Sequence, residues 1–245
     1  MPTLTKGRYR ARTATGPGDI RAAQRLRQRA FRRDEGLDSD AYDAACTHVL
    51  LEDRATGALV CCFRLLPIAG GRTVSESYAA QFYDLSALSG FDGPMLELGR
   101  FCIHPDWHDP DILRVAWGAL TGHVDRKGVR LLFGCSSFQG TDAAPYAEAF
   151  ALLCDRHLAP ARWRPGVKAP EVVRYCDEDG AQRALDKRRA RALLPPLLRS
   201  YLLMGGWVSD HAVIDRDLGT LHVFTGLEID AVPPARARLL RAVAG

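Results

Sequence analysis

Apolar residues near the start of the chain follow two different periods. Ile20, Ala23, Leu26, Ala30 and Phe31 recur at helical spacing, which predicts a helix from Asp19 that stops at Gly36. His48 to Glu52 and Ala58 to Leu66 instead read as strands, joined by a turn at Arg54-Ala55-Thr56-Gly57. After a looser stretch, Met95 to Ile103 is a third strand, ended by Pro105. Leu113, Ala116, Trp117 and Leu120 then line one face of a helix over Ile112 to Val124. Val129 to Cys135 is a buried strand and Ala143 to His157 another helix. Pro195 and Pro196 open a short helix through Met204, ended by Gly205-Gly206, before closing strands at Val208 to Ile214 and Leu221 to Ile229.

This order predicts an α/β (α+β) architecture with one central, mixed, twisted sheet flanked by helices. Residues 1–17, punctuated by Gly16, Pro17 and Gly18, read as an extended or poorly ordered lead-in. Residues 18–232 read as the folded domain, with a Pro- and Arg-rich, then basic and helical, insertion at about 159–200. Residues 233–245 read as a C-terminal tail.

Composition narrows the class. A hydrophobic share of 47% and a charged share of 25% suit a soluble globular chain, and 245 residues allow a sizeable core. No run approaches the roughly 18 apolar residues of a membrane span, and the N-terminus lacks the apolar centre of a signal peptide, so the sequence reads as cytoplasmic. The seven cysteines (Cys46, Cys61, Cys62, Cys102, Cys135, Cys154 and Cys176) form no C-x-x-C pair and mostly sit in apolar runs, which predicts buried reduced thiols. His104 and His108 would need a helix to share a metal, and Pro105 lies between them; no metal site is expected. Neither Cys135-Ser136-Ser137 nor Cys154-x-x-His157 shows the base, orienter and oxyanion donors of a nucleophile.

The net charge of +4 is unevenly spread. Arg162, Arg164 and Lys168 form one basic patch, and Lys187, Arg188, Arg189 and Arg191 a denser one. A solvated face accounts for either, and an acidic protein or an anionic membrane surface would fit as well. With no zinc-finger spacing, RNA-binding aromatic motif or helix-turn-helix signal, nucleic acid ranks last.

The chemistry lies in charges set inside apolar runs: Arg27, then Arg64 within Cys62-Phe63-Arg64-Leu65-Leu66-Pro67, then Glu97 and Arg100 within Glu97-Leu98-Gly99-Arg100-Phe101. A bare charge in a strand core costs several kcal/mol unless it is paired or used. Glu97 and Arg100, three apart, would point to opposite faces of a regular strand. A bulge at Gly99 would bring both toward one face and release backbone N–H groups able to receive a thioester oxyanion. A structural ion pair of Glu97 with Arg64 or Arg100 is the alternative. Asp40 and Asp43 admit a similar choice: turn and capping chemistry, or a grip on a cationic amine and on Arg27 and Arg64. Several arginines and one carboxylate suit a reaction that binds a charged amine and removes its proton.

Arg27 with Phe31, Asp40 with Asp43, Arg64, and Glu97 with Arg100 stand in the order and approximate spacing of the acyl-homoserine-lactone autoinducer synthases. Asp43-Ala44-Ala45-Cys46-Thr47-His48, Leu113-Arg114-Val115-Ala116-Trp117-Gly118-Ala119-Leu120, Leu132 to Phe138 followed by Gly140-Thr141-Asp142, and Gly206-Trp207-Val208 point to a related branch. With these motifs the chain resembles the ornithine-lipid acyltransferases, over about residues 20–228. The tryptophan that autoinducer synthases carry shortly after the phenylalanine is absent, and a polar stretch around Asp34 and Glu35 replaces it, which argues against lactone synthesis. Thr47 replaces an expected acidic residue, a departure that bears on substrate choice.

The resemblance implies a GNAT-like acyltransferase fold. It also implies transfer of a 3-hydroxyacyl chain from acyl carrier protein to the α-amino group of ornithine, giving lyso-ornithine lipid. Glutamine or another amino acid, lactone synthesis and a non-catalytic carrier-binding module are the alternatives. No G-x-G turn separates the Glu97 strand from the following helix, where a CoA pyrophosphate would be cradled, so a carrier-protein donor and no cofactor are expected. Glu97 would be the base, with Arg100 beside it as a catalytic residue. Arg27, Phe31, Asp40, Asp43 and Arg64 would bind the amino acid. Gly99, Phe101, Cys102, Trp117 and Phe133 would hold the thioester and chain, with Ser136 or Thr141 reading the 3-hydroxyl. Both basic patches would meet the acidic carrier protein, with peripheral contact at the membrane's inner face.

Overall fold

The computed structural model describes residues 3–176 and 186–245, and the chain divides into two compact units. The strands are β1 (Leu4–Lys6), β2 (Tyr9–Thr13), β3 (Thr47–Asp53), β4 (Leu59–Ile68), β5 (Tyr83–Asp84), β6 (Met95–Ile103), β7 (Leu131–Gln139), β8 (Gly166–Val167), β9 (Val172–Arg174), β10 (Trp207–Asp215) and β11 (Thr220–Glu228). The helices are α1 (Pro17–Phe31), α2 (Pro110–Lys127), α3 (Ala147–Arg156), α4 (Lys187–Leu193), α5 (Pro196–Leu203) and α6 (Pro234–Ala244).

The first unit contains the described residues of Met1–Pro67, with Leu96–Val129 and Pro233–Gly245. Its strands lie in the order β1-β2-β3-β4-β6. The apolar stripe read from the sequence does its expected work: α1 packs Ala23 and Leu26 with Leu50, Cys62 and Cys102, and Ala30 and Phe31 close the cluster's margin. Each fully buried leucine there contributes about 1.5–3 kcal/mol.

Two terminal expectations need correction. The lead-in is not loose: β1 and β2 form a hairpin through Gly7 (φ +55°), and β2 pairs antiparallel with β3 from Tyr9↔Asp53 to Thr13↔Val49. Short strands alternating with arginines carried too weak an apolar signal to be read alone; Arg10 and Arg12 bond Glu52 on β3. The tail is not a tail either. It is α6, which packs on α2 because Gly118 has no side chain; a Cβ there would lie 2.6 Å from Val243 Cγ1. Arg241 adds an ion pair to Asp125.

The second unit contains Ile68–Met95 and the described residues of Arg130–Val232. Its sheet runs β7-β11-β10-β9, with antiparallel neighbours. Period-2 alternation separates its faces. Phe138, Leu221, Val223, Val208 and Ala212 pack against α3, α4 and α5. Phe133, Cys135, His222, Phe224, Gly226 and Trp207 turn the other way, as the pairs Phe133↔Gly226, Cys135↔Phe224 and Trp207↔Gly226 require. Tyr83 covers that second face, its ring 5.6 Å from Phe224. The register of β10 slips between Val208 and Ala212, a bulge no sequence signal announced.

The stretch after β4 is a series of short 3₁₀ turns at Gly71–Glu76, Ala79–Gln81 and Ser86–Leu88. The basic insertion resolves into the 3₁₀ turn Ala161–Trp163, β8, β9, α4 and α5; its residues 177–185 lie outside the described residues. The expectation of reduced thiols fails at one pair: Cys154 of α3 is disulfide-bonded to Cys176, with Cα atoms 5.6 Å apart. Separation by 22 positions hid this from sequence spacing.

Candidate active site

The charged residues singled out in the strands, Arg64, Glu97 and Arg100, belong to the first unit, and Arg64 and Arg100 close a ring with Arg27, Asp38, Asp40 and Asp43. Arg27 comes from the buried face of α1, Arg64 from β4 and Arg100 from β6. The aspartates come from one segment after α1, where Asp40 caps a 3₁₀ turn by accepting from Tyr42 N–H and Asp43 lies within that turn. Arg27 Nε donates to Asp38 Oδ2 at 2.7 Å and its Nη1 to Asp43 Oδ1 at 2.8 Å. Arg64 Nη1 donates to Asp43 Oδ1 at 2.7 Å and to Asp40 Oδ1 at 2.6 Å. Arg100 closes the circuit, with Nε 2.9 Å from Asp38 Oδ2 and Nη2 3.3 Å from Asp40 Oδ2.

Three positive and three negative charges thus alternate around a neutral ring in which every member meets two opposite charges. Such alternation is what allows burial this deep, since each ion's lost hydration is replaced by charge-assisted hydrogen bonds. Arg27 is the most enclosed member, with 1% of its side chain exposed; Asp40 is the most open, at 24%. Burial works against ionisation of Asp43, but hydrogen bonds from Arg27, Gln24 and Arg64 outweigh it and hold its carboxyl well below the usual range. The same contest, won by Arg64 and Arg100, lowers Asp40. His48 stands across from Arg64 on β3 and places Nε2 3.0 Å from the Asp43 carbonyl oxygen.

The backbone irregularity expected at Gly99 falls one residue later. Arg100 has φ +51°, a left-handed conformation inside a strand that costs a non-glycine residue about 1–2 kcal/mol. Gly99 is not left-handed. It lies beneath Arg64, whose Nε is 3.4 Å from where a Cβ at position 99 would stand.

Glu97 is buried, at 3% exposure, and its field reaches the turn that carries the aspartates. Burial first, and Glu97's charge second, raise the Tyr42 phenol above its usual range. Burial also pushes the Cys46 thiol up to about 11, with Arg64 opposing and Glu97 reinforcing the shift. Tyr42 also sets its ring 5.8 Å from the Arg64 guanidinium. The carboxylate, the ring and this tyrosine therefore form one neighbourhood.

The other predicted residues separate. Phe31 and Cys102 sit in the apolar cluster beneath α1, where Cys102 Sγ is 3.5 Å from Cys62 Sγ; strand alternation turns Cys102 away from Phe101. Phe101 stacks on Phe63 at 5.5 Å. Trp117 is buried on α2. In the second unit, Phe133 stacks on Phe224 at 5.7 Å. Ser136 occupies the opposite face, accepting from Thr225 Oγ1 at 3.0 Å, and Thr141 lies beyond the end of β7. Odd and even positions of one strand cannot serve one face, which divides Phe133 from Ser136.

The first basic patch is drawn onto its own unit. Arg162 pairs with Glu228 at 3.4 Å, Arg164 donates to the Ala159 carbonyl and Lys168 to that of Ala80. In the second patch Arg189 pairs with Glu148, while Lys187, Arg188 and Arg191 are exposed along α4. Among the described residues no group of three or more His, Cys, Asp or Glu side chains is disposed to hold a metal ion.

Sequence reasoning missed Asp38, which joins Arg27 to Arg100. Its signal was present as Asp38-Ser39-Asp40-Ala41-Tyr42-Asp43, three aspartates within one short segment after the helix. Only the two nearest the strand were read as chemical.

Residues 23–118, which hold the whole ring and Glu97, match the acetyltransferase (GNAT) domain family. Among solved structures the chain is similar to FeeM, an N-acyl amino acid synthase from uncultured soil microbes, with a TM-score of 0.55 at 10% identity over 92% of this chain and 94% of that one. It is also similar to TofI in an apo form, with a TM-score of 0.51 at 19% identity over 96% and 98% of the two chains. The fold is GNAT-like, and the protein is an acyltransferase.

The narrower assignment comes from full-length relatives. The L-ornithine N(alpha)-acyltransferase of Rhodobacter capsulatus is 32% identical over 240 residues, 91% of each chain. That of Brucella abortus is 30% identical over 244 residues, 92% of this chain and 86% of its own. The chain belongs to the L-ornithine N(alpha)-acyltransferase family.

Proposed function

We propose that this protein transfers a 3-hydroxyacyl chain from acyl carrier protein to the α-amino group of ornithine. The observation that carries the reading is the buried carboxylate of Glu97 beside a closed ring of arginines and aspartates, in a chain whose relatives are named L-ornithine N(alpha)-acyltransferases.

Amide formation needs a neutral amine. Glu97 takes a proton from the α-ammonium, directly or through one water, and the amine attacks the thioester carbonyl. Backbone N–H groups around Arg100, where the strand leaves its extended course, receive the oxyanion. Collapse of the tetrahedral intermediate forms the amide, breaks the C–S bond and releases the carrier's thiolate, which takes up a proton.

The ring assigns the amino acid's other charges. Its longest edge, Arg100–Asp40 at 3.3 Å, includes its most exposed member and is the edge that opens at least cost. The substrate carboxylate docks on Arg100 and the δ-ammonium on Asp40, so the zwitterionic ends exchange with charges already in place. Arg27, Asp38 and Asp43, deeper in the ring, position these two. On the other unit, Lys187, Arg188 and Arg191 present positive charge suited to an acidic carrier protein. No helix among the described residues is long and apolar enough to cross a membrane; contact with a membrane surface through the same arginines is part of the proposal.

Purified protein offered 3-hydroxyacyl carrier protein and a mixture of amino acids is expected to yield 3-hydroxyacyl-ornithine by mass spectrometry. A different acylated amino acid would overturn the substrate, turnover from acyl-CoA matching that from the carrier would overturn the donor, and no product from either would overturn the reading.

A further inference from the structure

The outer face of α1 carries a row of arginines that the ring does not use. Arg21, Arg25 and Arg29 recur every four residues and are exposed, and exposed Arg33 follows where the helix has ended. Side chains four apart share one helix face at steps of about 5–6 Å, so the first three stand in line along the helix. The buried face of α1 holds Ala23, Leu26 and Arg27 instead.

The row is not compensated. Arg21, Arg25 and Arg33 meet no carboxylate among the described residues, and Arg29 Nη1 lies 3.0 Å from His104 Nε2. By contrast, the exposed Arg8, Arg10 and Arg241 of the same unit are matched, to Asp53, Glu52 and Asp125. Of the acids near the row, Asp19 bonds Arg12 and Asp34 accepts from Gln28, which leaves Glu35 beside four arginines. Like charges four apart weaken a helix, so the row is a cost that folding alone does not explain.

Beyond the row the chain turns apolar. Leu37 is 49% exposed, in the loop that leads from α1 to Asp38. The phosphate layer of a bilayer offers anions at any spacing along a straight row, and the acyl layer beneath it takes an exposed leucine. An acidic protein would have to match the row carboxylate by carboxylate and bring an apolar contact for Leu37 as well. The chemistry of the product favours the same occupant, since one long acyl chain on a zwitterionic head partitions into lipid.

We infer that the α1 row and Leu37 seat the enzyme on an anionic lipid bilayer, the arginines against phosphates and Leu37 in the acyl layer. The inference rests on the acyl-transfer function proposed above and adds a membrane surface on the unit that bears the ring. Asp38 and Asp40 follow Leu37 directly in the chain, so a bilayer held there lies beside the segment that carries the ring's aspartates.

Cosedimentation with vesicles tests the contact. Native protein, Arg21→Gln with Arg25→Gln, and Arg236→Gln with Arg238→Gln are each mixed with vesicles of phosphatidylglycerol and phosphatidylcholine in equal parts, and of phosphatidylcholine alone. Glutamine keeps the helix propensity, and the α6 pair removes the same charge from another exposed face of this unit. Native protein is expected to bind the anionic vesicles, less so as salt rises, and to leave the neutral ones. The α1 pair should lower the partition coefficient about thirtyfold, and the α6 pair far less. Leu37→Ser should weaken the binding that persists at high salt. No native binding, equal losses from the two pairs, or a loss confined to reversal of Lys187, Arg188 and Arg191 would overturn the α1 surface. Unchanged vesicle binding with a raised KM for the carrier-bound donor would also overturn it, and give the row to the carrier protein. In vesicle-free solution the α1 pair should make acyl-ornithine at the native rate; a fall there would put the arginines in the reaction and overturn the membrane role. Absence of acyl-ornithine with native protein would instead strike the function, whatever the vesicles show.

Discussion

Replacing Arg27 with methionine opens the ring at its most enclosed member. The side chain fits the same space, but Asp38 and Asp43 each lose one of their two arginines, and the Asp38 carbonyl oxygen loses the Arg27 Nη2 donor. Asp38 keeps Arg100 and Asp43 keeps Arg64, so neither carboxylate is stranded. Breaking a buried ion pair at one partner costs about 3–5 kcal/mol, and these retained partners place the loss near the lower end, about 3 kcal/mol. Asp40→Asn is the control at the open edge: water reaches that carboxyl, and the amide oxygen still accepts one hydrogen bond, so about 1 kcal/mol is expected. Urea unfolding at neutral pH, followed by circular dichroism, measures both. A deficit for Arg27→Met below about 1 kcal/mol, or no greater than that of Asp40→Asn, would refute a ring whose strength follows burial.

Three further outcomes follow from the same geometry. Glu97→Gln keeps the shape and removes the base; kcat should fall by about a hundredfold or more with the unfolding midpoint little changed, and retained turnover would remove Glu97 from the role. Lys187→Glu with Arg188→Glu and Arg191→Glu should raise KM for the carrier-bound donor and weaken its salt dependence, while leaving kcat near native; an unchanged KM would return α4 to a solvated face. Asp43 has a lowered carboxyl in the folded state, so its stabilisation is present above the unfolded value of about 3.9 and drains away as pH falls below it. The native urea midpoint should therefore drop steeply below about pH 4, and Asp43→Asn should show a shallower slope; parallel slopes would contradict the assignment.

Much of the fold was legible because burial imposes a period. The α1 stripe, the β3–β4 pair and β6 announced themselves through apolar repeats, and charges inside those repeats marked Arg64, Glu97 and Arg100. What escaped depends on partners distant in sequence. The β1–β2 hairpin is held by ion pairs across to β3, α6 by the missing side chain of Gly118, and the Cys154–Cys176 bridge by a loop that returns to α3. Asp38 escaped because an aspartate beyond a helix looks like a solvated loop residue until two arginines from different elements converge on it. Trp207 was visible as part of a motif, yet its buried indole nitrogen, without a hydrogen-bond partner among the described residues, is a property of packing that no spacing encodes.

The ring also ties activity to the order of assembly. Its aspartates lie close together, but its arginines arrive on α1, β4 and β6, so no two of the three guanidinium groups come from one local element. Chain closure must bring these segments together before alternating charge can stabilise anything, and until then each arginine remains hydrated on its own segment. Ring closure is therefore expected after the rate-limiting barrier, which φ-values near zero at Arg27, Arg64 and Arg100 would bear out and values near one would refute. Mutations within it should mainly hasten unfolding rather than slow refolding. On the proposed function, competence then waits for β6 to seat Arg100 against the aspartates, so that chains lacking that closure carry no half-formed active site.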